Sequence, residues 1–495
     1  MTDSNPSVTP KHAFRMPKGW EAVIGLEVHA QLKTESKLFS SAPHAFGAAP
    51  NTQTTEVDVG LPGVLPVLNE KAVELALRLA LALGAKVQPV SIFARKHYFY
   101  PDLPKGYQIS QYEEPYCTDG AVPIELDGEA RAIPLTRIHM EEDAAKNIHD
   151  DAVTGGGVTH VDLNRAGAPL VEIVSTPNIH SPEEAGAYLR SLRQILRYLE
   201  VSDADMEKGQ FRCDANVSVR RAGDVKLGTR TELKNLNSFR FVERAIASEI
   251  RRQVELVEGG GKVLQQTLHW DDRSGTATPM RTKEQADDYR YFPDPDLPPL
   301  RVEPALLERI RGSLPELPHV RRARYVESFG LPSYDAAVLT EDRDVSAFFE
   351  AAVRLYGQPK TVSNWIMRDL LATTTEAGKG LSELPLTPEH LVELLKLVDA
   401  GRTTAGSARE VFAQMAKTGE RPEAIMRARG LEAVSDSGEL ERLARTVIDA
   451  NAAQVAKYRA GETKLLNFFV GQVMKASGGK ADPAALREIM TRLLG

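Results

Sequence analysis

Cysteine is almost missing from this chain of 495 residues, with only Cys117 and Cys213, far apart in sequence. Two thiols cannot build a disulfide framework or a four-thiolate zinc site, and their scarcity fits a reducing compartment. No run of about 18 apolar residues occurs, so no membrane-spanning helix is expected. The first nineteen residues are polar, carry proline and lack an apolar stretch, which leaves no secretory signal to expect and favours a cytoplasmic protein. A strong positive charge is lacking too: the net charge of −7 argues against a broad basic surface for nucleic acid. Several catalytic signatures are absent. There is no Gly-x-x-x-x-Gly-Lys-Ser/Thr loop, kinase glycine-rich loop, Cys-x-x-Cys pair, His-Glu-x-x-His helix, Gly-x-Ser-x-Gly elbow or Gly/Ser-rich amidase signature. The chain is therefore not expected to be a P-loop ATPase or to hydrolyse amides by itself.

What is present is an ordinary globular composition, 42% hydrophobic and 26% charged, in a chain long enough for roughly three domains. Residues 1–296 read as strands interspersed with helices. From about residue 297, past a Pro-rich stretch, the patterns are almost all helical. Charge marks a further change at Gly406: the stretch to Gly495 holds 14 Lys and Arg against 11 Asp and Glu, a net of +3, leaving −10 for the rest. The expectation is an α+β protein with a β-rich catalytic domain (1–296), a helical domain (297–405) and a small all-α tail (406–495).

The strands carry the chemistry. Val23 to Leu32 alternates, with Ile24, Leu26, Val28, Ala30 and Leu32 on one face and Glu27, His29 and Gln31 on the other. Arg137 to Asn147 opens as a strand and then crowds Glu141, Glu142 and Asp143 together, a costly arrangement unless a cation sits among them. Mg²⁺, which takes oxygen ligands and bridges to phosphate, is one such cation. Glu172 stands inside the otherwise apolar Leu170–Val174, so it lies at an exposed edge or is held by a partner. Phe211 to Arg220 alternates fully, and its polar face presents Arg212, Asp214, Asn216, Ser218 and Arg220, a set suited to phosphate and metal. Arg230, Glu232 and Lys234 repeat the device. The aromatic, Pro-rich loop His97–Gln108 has a partial echo at Tyr291–Pro298.

These stretches, Ile24–Leu32, His97–Gln111, His139–Asn147, Asp162–Pro177, Glu207–Val219 and Arg230–Phe239, closely resemble the B subunit of the bacterial glutamyl/aspartyl-tRNA amidotransferases, in order and spacing along the whole chain. The resemblance implies a cradle-shaped domain that phosphorylates the side-chain carboxylate of misacylated Glu-tRNA(Gln) or Asp-tRNA(Asn) with Mg-ATP. Ammonia from glutamine, released by the amidase (the A subunit), then displaces the phosphate; the small C subunit wraps the pair, and the helical and tail domains hold the tRNA. It also implies a Mg²⁺ site at Glu27, His29 and Glu142, with Glu141 and Asp143 adjacent. By physical role, Arg212, Arg230 and Lys234 are assigned to phosphate charge, and Asp214, Asn216 and Glu207 to metal or substrate orientation. Ser218 and Glu232 join the nucleotide-binding set. Mg²⁺ seldom takes imidazole, so His29 acting through water or as a base is a second reading. Some members of the family carry a zinc-binding cysteine cluster; with two cysteines, a structural zinc is not expected here. In the tail, Lys457, Arg459, Lys464 and Lys475 are the candidates for tRNA phosphates. The alternative reading is a non-catalytic tRNA-binding adaptor whose polar strand faces grip the acceptor stem.

Overall fold

Alternation in the first strand sets the architecture. β1 (Trp20–Gln31) puts Ala22, Ile24, Leu26, Val28 and Ala30, each at most 1% exposed, on one face. Burial of this kind contributes about 2 kcal/mol for each larger side chain, which fixes the strand's facing. The structure, a computed structural model, describes residues 14–148, 156–280, 289–433 and 437–495; the polar residues 1–13 lie outside that set. The chain divides into two compact units, Met1–Leu317 and Pro318–Gly495.

In the first unit a ten-stranded sheet carries β2 (Glu129–Glu142), β3 (Pro169–Ser175), β4 (Phe211–Arg221), β5 (Thr231–Lys234), β6 (Thr267–Asp271) and β7 (Thr276–Pro279) beside β1. The order is β7-β6-β5-β4-β1-β3-β2, continued by short strands at Cys117–Thr118 and Lys86–Val87, with Ala121–Leu126 also paired to β2. Neighbours are antiparallel except β5 and β6, which are parallel. The apolar face packs on three helices, each begun by a capping side chain. Asn69 accepts from the Lys71 and Ala72 amides at the start of α1 (Glu70–Ala82); Ser181 accepts from Glu184 before α2 (Pro182–Tyr198); Ser238 accepts from Phe241 before α3 (Phe239–Glu258). Leu189, Leu192, Ile195, Val242, Ile246 and Ile250 from α2 and α3 share one core with the strands. The sheet's other face is left for polar groups. A separate three-stranded sheet pairs Ala94–His97 with Tyr107–Ser110 and with Phe292–Pro293, so the two echoing aromatic segments lie side by side, His97 stacked on Phe292 at 5.0 Å.

The second unit is helical throughout its described residues. It holds two cores, one from Tyr325 to Leu431 around Phe349, Leu391 and Phe412, the other from Leu440 to Leu494 around Phe469, Val473 and Met490. Gly406, where the charge balance changes, lies inside the helix Ala405–Thr418, which contributes Val411 and Phe412 to the first of these cores. The mixed sheet followed by helices is the α+β class expected from the sequence.

Candidate functional site

Register builds the site. His139 of β2, Glu172 of β3, His29 of β1 and Arg212 of β4 are successive cross-strand partners, forming one row across four strands. One step along β1, Glu27 is opposite Asp214, and Asn216 is opposite Glu232 of β5. Same-face neighbours at this spacing are close enough to share hydrogen bonds.

They do so in two adjoining groups. His29 Nε2 lies 3.2 Å from Glu172 Oε2 and 3.4 Å from Glu141 Oε1. His139 Nε2 lies 3.5 Å from Glu172 and 3.7 Å from Glu141. Ser110 Oγ donates to Glu141 at 3.3 Å. Burial disfavours charge on His29, but its bonds to Glu141 and Glu172 hold its pKa up at about 10. Burial also opposes charge on both carboxylates, and the two histidines outweigh it, bringing Glu172 down to about 2 and Glu141 well below the ordinary carboxylate range. Ligand atoms of His29, Glu141 and Glu172 all fall within 4.8 Å of one another, a spacing one divalent ion could fill.

In the second group Lys234 pairs with Asp214 and, at 2.8 Å, with Glu232, while Asn216 Nδ2 donates to Glu27 Oε1 at 3.0 Å. Burial, together with the charges of Glu172, Glu232 and Asp214, raises the pKa of Glu27. Two carboxylates thus share one ammonium beside a third carboxylate, Glu27, a surplus of negative charge that a further cation would relieve.

Of the metal set expected from the sequence, only His29 lies in the cluster of His29, Glu141 and Glu172, and Glu27 sits in the adjoining group. Glu142 is not grouped with Glu27 and His29: it follows Ile138 and Met140 on the opposite face of β2, and its carboxylate accepts from Lys105 Nζ and, at 2.9 Å, from the Ile109 amide. Glu141, one residue earlier, is the carboxylate of this strand that reaches His29. Arg212 reaches the row but is already bound to Asp143 at 2.9 Å, with Arg165 3.5 Å from the same carboxylate. Ser218 is buried and its hydroxyl lies 3.4 Å from the Val23 carbonyl. Arg230 and Glu207 are exposed in loops before β5 and β4. Lys457 and Arg459 on the helix Ala452–Arg459, and Lys464 and Lys475 on or beside the helix Leu465–Ala476, are all exposed; Arg459 Nε donates to the Leu494 carbonyl at 3.1 Å.

Two members of the row escaped assignment from the sequence. His139 shares strand parity with Glu141, and the isolated Glu172 was the visible signal for a partner, but only the pairing of β3 with β1 and β2 brings them to His29. Lys96 was missed as well: it lies on Ala94–His97 with its Nζ over the Tyr289 ring, 4.9 Å from the centroid.

Buried carboxylates and imidazoles massed on one sheet face are costly to keep for stability alone and make this face the candidate functional site. Comparison agrees: residues 22–308 match the family model described as the GatB/GatE catalytic domain, and residues 347–494 the one described as the GatB domain. The chain is 52% identical over 475 residues to the B subunit of the aspartyl/glutamyl-tRNA(Asn/Gln) amidotransferase of Thermodesulfovibrio yellowstonii, covering 96% of this chain and 99% of that one. Against the protein of the same name from Alkalilimnicola ehrlichii it is 53% identical over 477 residues, with the same coverage. The chain belongs to the family of tRNA amidotransferase B subunits and is thus one component of a multi-subunit, tRNA-dependent enzyme.

Proposed function

We propose that the first unit activates the side-chain carboxylate of a glutamyl or aspartyl group carried on tRNA(Gln) or tRNA(Asn), and then amidates it. A carboxylate is a poor electrophile, and phosphorylation supplies the leaving group. A carboxylate oxygen attacks the terminal phosphorus of ATP, the bond from that phosphorus to the bridging oxygen breaks, and ADP leaves. Ammonia then attacks the acyl carbon, the carbon–oxygen bond to phosphate breaks, and the nitrogen loses a proton to give the amide. The observation that carries this reading is the row His139–Glu172–His29–Arg212 lying beside Glu27, Asp214 and Lys234 on one sheet face.

The donor chemistry fits a divalent ion. Glu27, Asp214 and Glu232 offer oxygen only, as Mg²⁺ prefers, whereas His29, Glu141 and Glu172 mix nitrogen with oxygen and suit Mn²⁺ equally. Such an ion would neutralise phosphate charge. The chain's own groups do the rest: Arg212 and Lys234 add positive charge, Asn216 orients Glu27, and His139 holds Glu172 and Glu141 ionised. Without an amidase signature the chain needs an ammonia source, supplied in this reading by a separate amidase chain, the A subunit, held with the small C subunit in the cytoplasm. The helical unit, Pro318–Gly495, would hold the tRNA through Lys457, Arg459, Lys464 and Lys475 on the helices of its second core.

The test is phosphate release from ATP by the complete complex, assayed with misacylated tRNA and ammonium. Glu172→Gln is expected to lower release by about 100-fold. Unchanged release, with tRNA binding intact, would favour the adaptor that only grips the acceptor stem.

A further inference from the structure

A phosphoryl group needs a cation that is free to receive it, and nearly every cation on this face is already spent. Arg212 is bound to Asp143, and Lys234 to Asp214 and Glu232. Arg137 lies 3.9 Å from Glu172, and Arg230 is exposed in a loop. Lys96 differs: it makes no ion pair or hydrogen bond with any described residue, and its ammonium rests on the ring of Tyr289.

Its position is set by the small sheet. Lys96 is the cross-strand partner of Gln108, and this second strand is tied to the end of β2 three times: Gln108 Nε2 donates to the Glu142 carbonyl at 2.7 Å, the Ile109 amide to Glu142 Oε1 at 2.9 Å, and Ser110 Oγ to Glu141. The ammonium is therefore brought toward the cluster from a second sheet, while β1, β2, β3 and β4 supply the row. Burial works against its charge, and Glu141, Tyr291 and Glu172 more than offset that. An ammonium held by an aromatic face and drawn by carboxylates it does not touch is a donor kept for an incoming anion.

We propose that Lys96 donates to a non-bridging oxygen of the phosphoryl group in transfer, with Tyr289 as the residue that positions it. This rests on the acyl-phosphate reading above. Because the interaction belongs to the group in flight, Lys96 acts on kcat more than on the KM for ATP.

The experiment uses the complete complex and measures the affinity of ADP alone and of ADP with aluminium fluoride, which mimics the transferring phosphoryl group. Lys96→Met is expected to weaken the second by about 100-fold and leave the first unchanged, with kcat falling in parallel. Lys96→Arg recovers part of the loss. Tyr289→Phe behaves as wild type, and Tyr289→Leu loses about fivefold, the size of one cation–π contact. If Lys96→Met weakens both ligands equally, or neither, or if Tyr289→Leu binds aluminium fluoride like Tyr289→Phe, the assignment is wrong. Failure of the wild-type complex to bind ADP at all would overturn the acyl-phosphate reading with it.

Discussion

His29 and Glu172 face each other on neighbouring antiparallel strands, and their side chains meet at 3.2 Å. Glu172 also takes His139 at 3.5 Å, so one carboxylate serves two imidazoles. Replacing it with glutamine keeps the shape and removes the charge. Glu172→Gln is expected to lower ATP-dependent amidation by about 100-fold and to weaken Mn²⁺ binding at least tenfold by calorimetry. Unaltered binding of the ion would remove Glu172 from its ligands.

That pair shows what could be read from residues and what could not. Strict alternation in Val23–Leu32 and Phe211–Arg220 disclosed both polar faces, because a period of two depends on local sequence alone. The same logic applied to Arg137–Glu142 sets Glu142 on the apolar face, since Ile138 and Met140 share its parity; acidic crowding alone does not separate it from Glu141. Glu172 was visible as an oddity, but its partners came from strand order, which sets it between His139 and the much earlier His29. Lys96 and Tyr289 meet only because the segments around Ala94–His97 and Phe292–Pro293 pair, and no periodicity within either announces that.

Acidity tests the cluster in chelator-treated protein. The pKa of His29 is held at about 10, above its ordinary 6.5, so its stabilising share is complete below pH 6.5 and fades as pH climbs toward 10. Glu172, held at about 2 against 4.5, contributes fully above pH 4.5 and loses that share on the descent toward 2. The gap in melting temperature between wild type and His29→Gln is therefore expected to be widest between pH 4.5 and 6.5 and to narrow above. A gap that widens from pH 7 to 9 would contradict the imidazolium assignment.

Glu142 is expected to matter for stability independently of any metal. Its carboxylate and the Lys105 ammonium are 4% and 9% exposed, so glutamine at 142 strands a buried charge. Loss of one partner from such a pair costs about 3 kcal/mol. Denaturant unfolding should show that loss for Glu142→Gln with chelator present, and a smaller loss for the double variant with Lys105→Met, where no charge is left uncompensated. Equal losses in the two variants would mean that the pair itself contributes little.

The tail offers a test in which salt, rather than activity, is the readout. Each lysine that neutralises a tRNA phosphate releases a condensed counterion, so removing one contact reduces the slope of log affinity against log salt by about 0.9 for a duplex. Lys457, Lys464 and Lys475 are exposed and form no ion pair with a described residue, so their ammonium groups are available for such contacts. Arg459 is tied to the Leu494 carbonyl, so its substitution also disturbs the last helix. The three lysines are therefore the cleaner probes. Filter binding of tRNA by the complete complex at several salt concentrations should show a shallower slope for each lysine-to-alanine variant, and the reductions should add in the triple variant. A triple variant whose slope matches wild type would place the tRNA elsewhere on the complex and leave these helices as solvated surface.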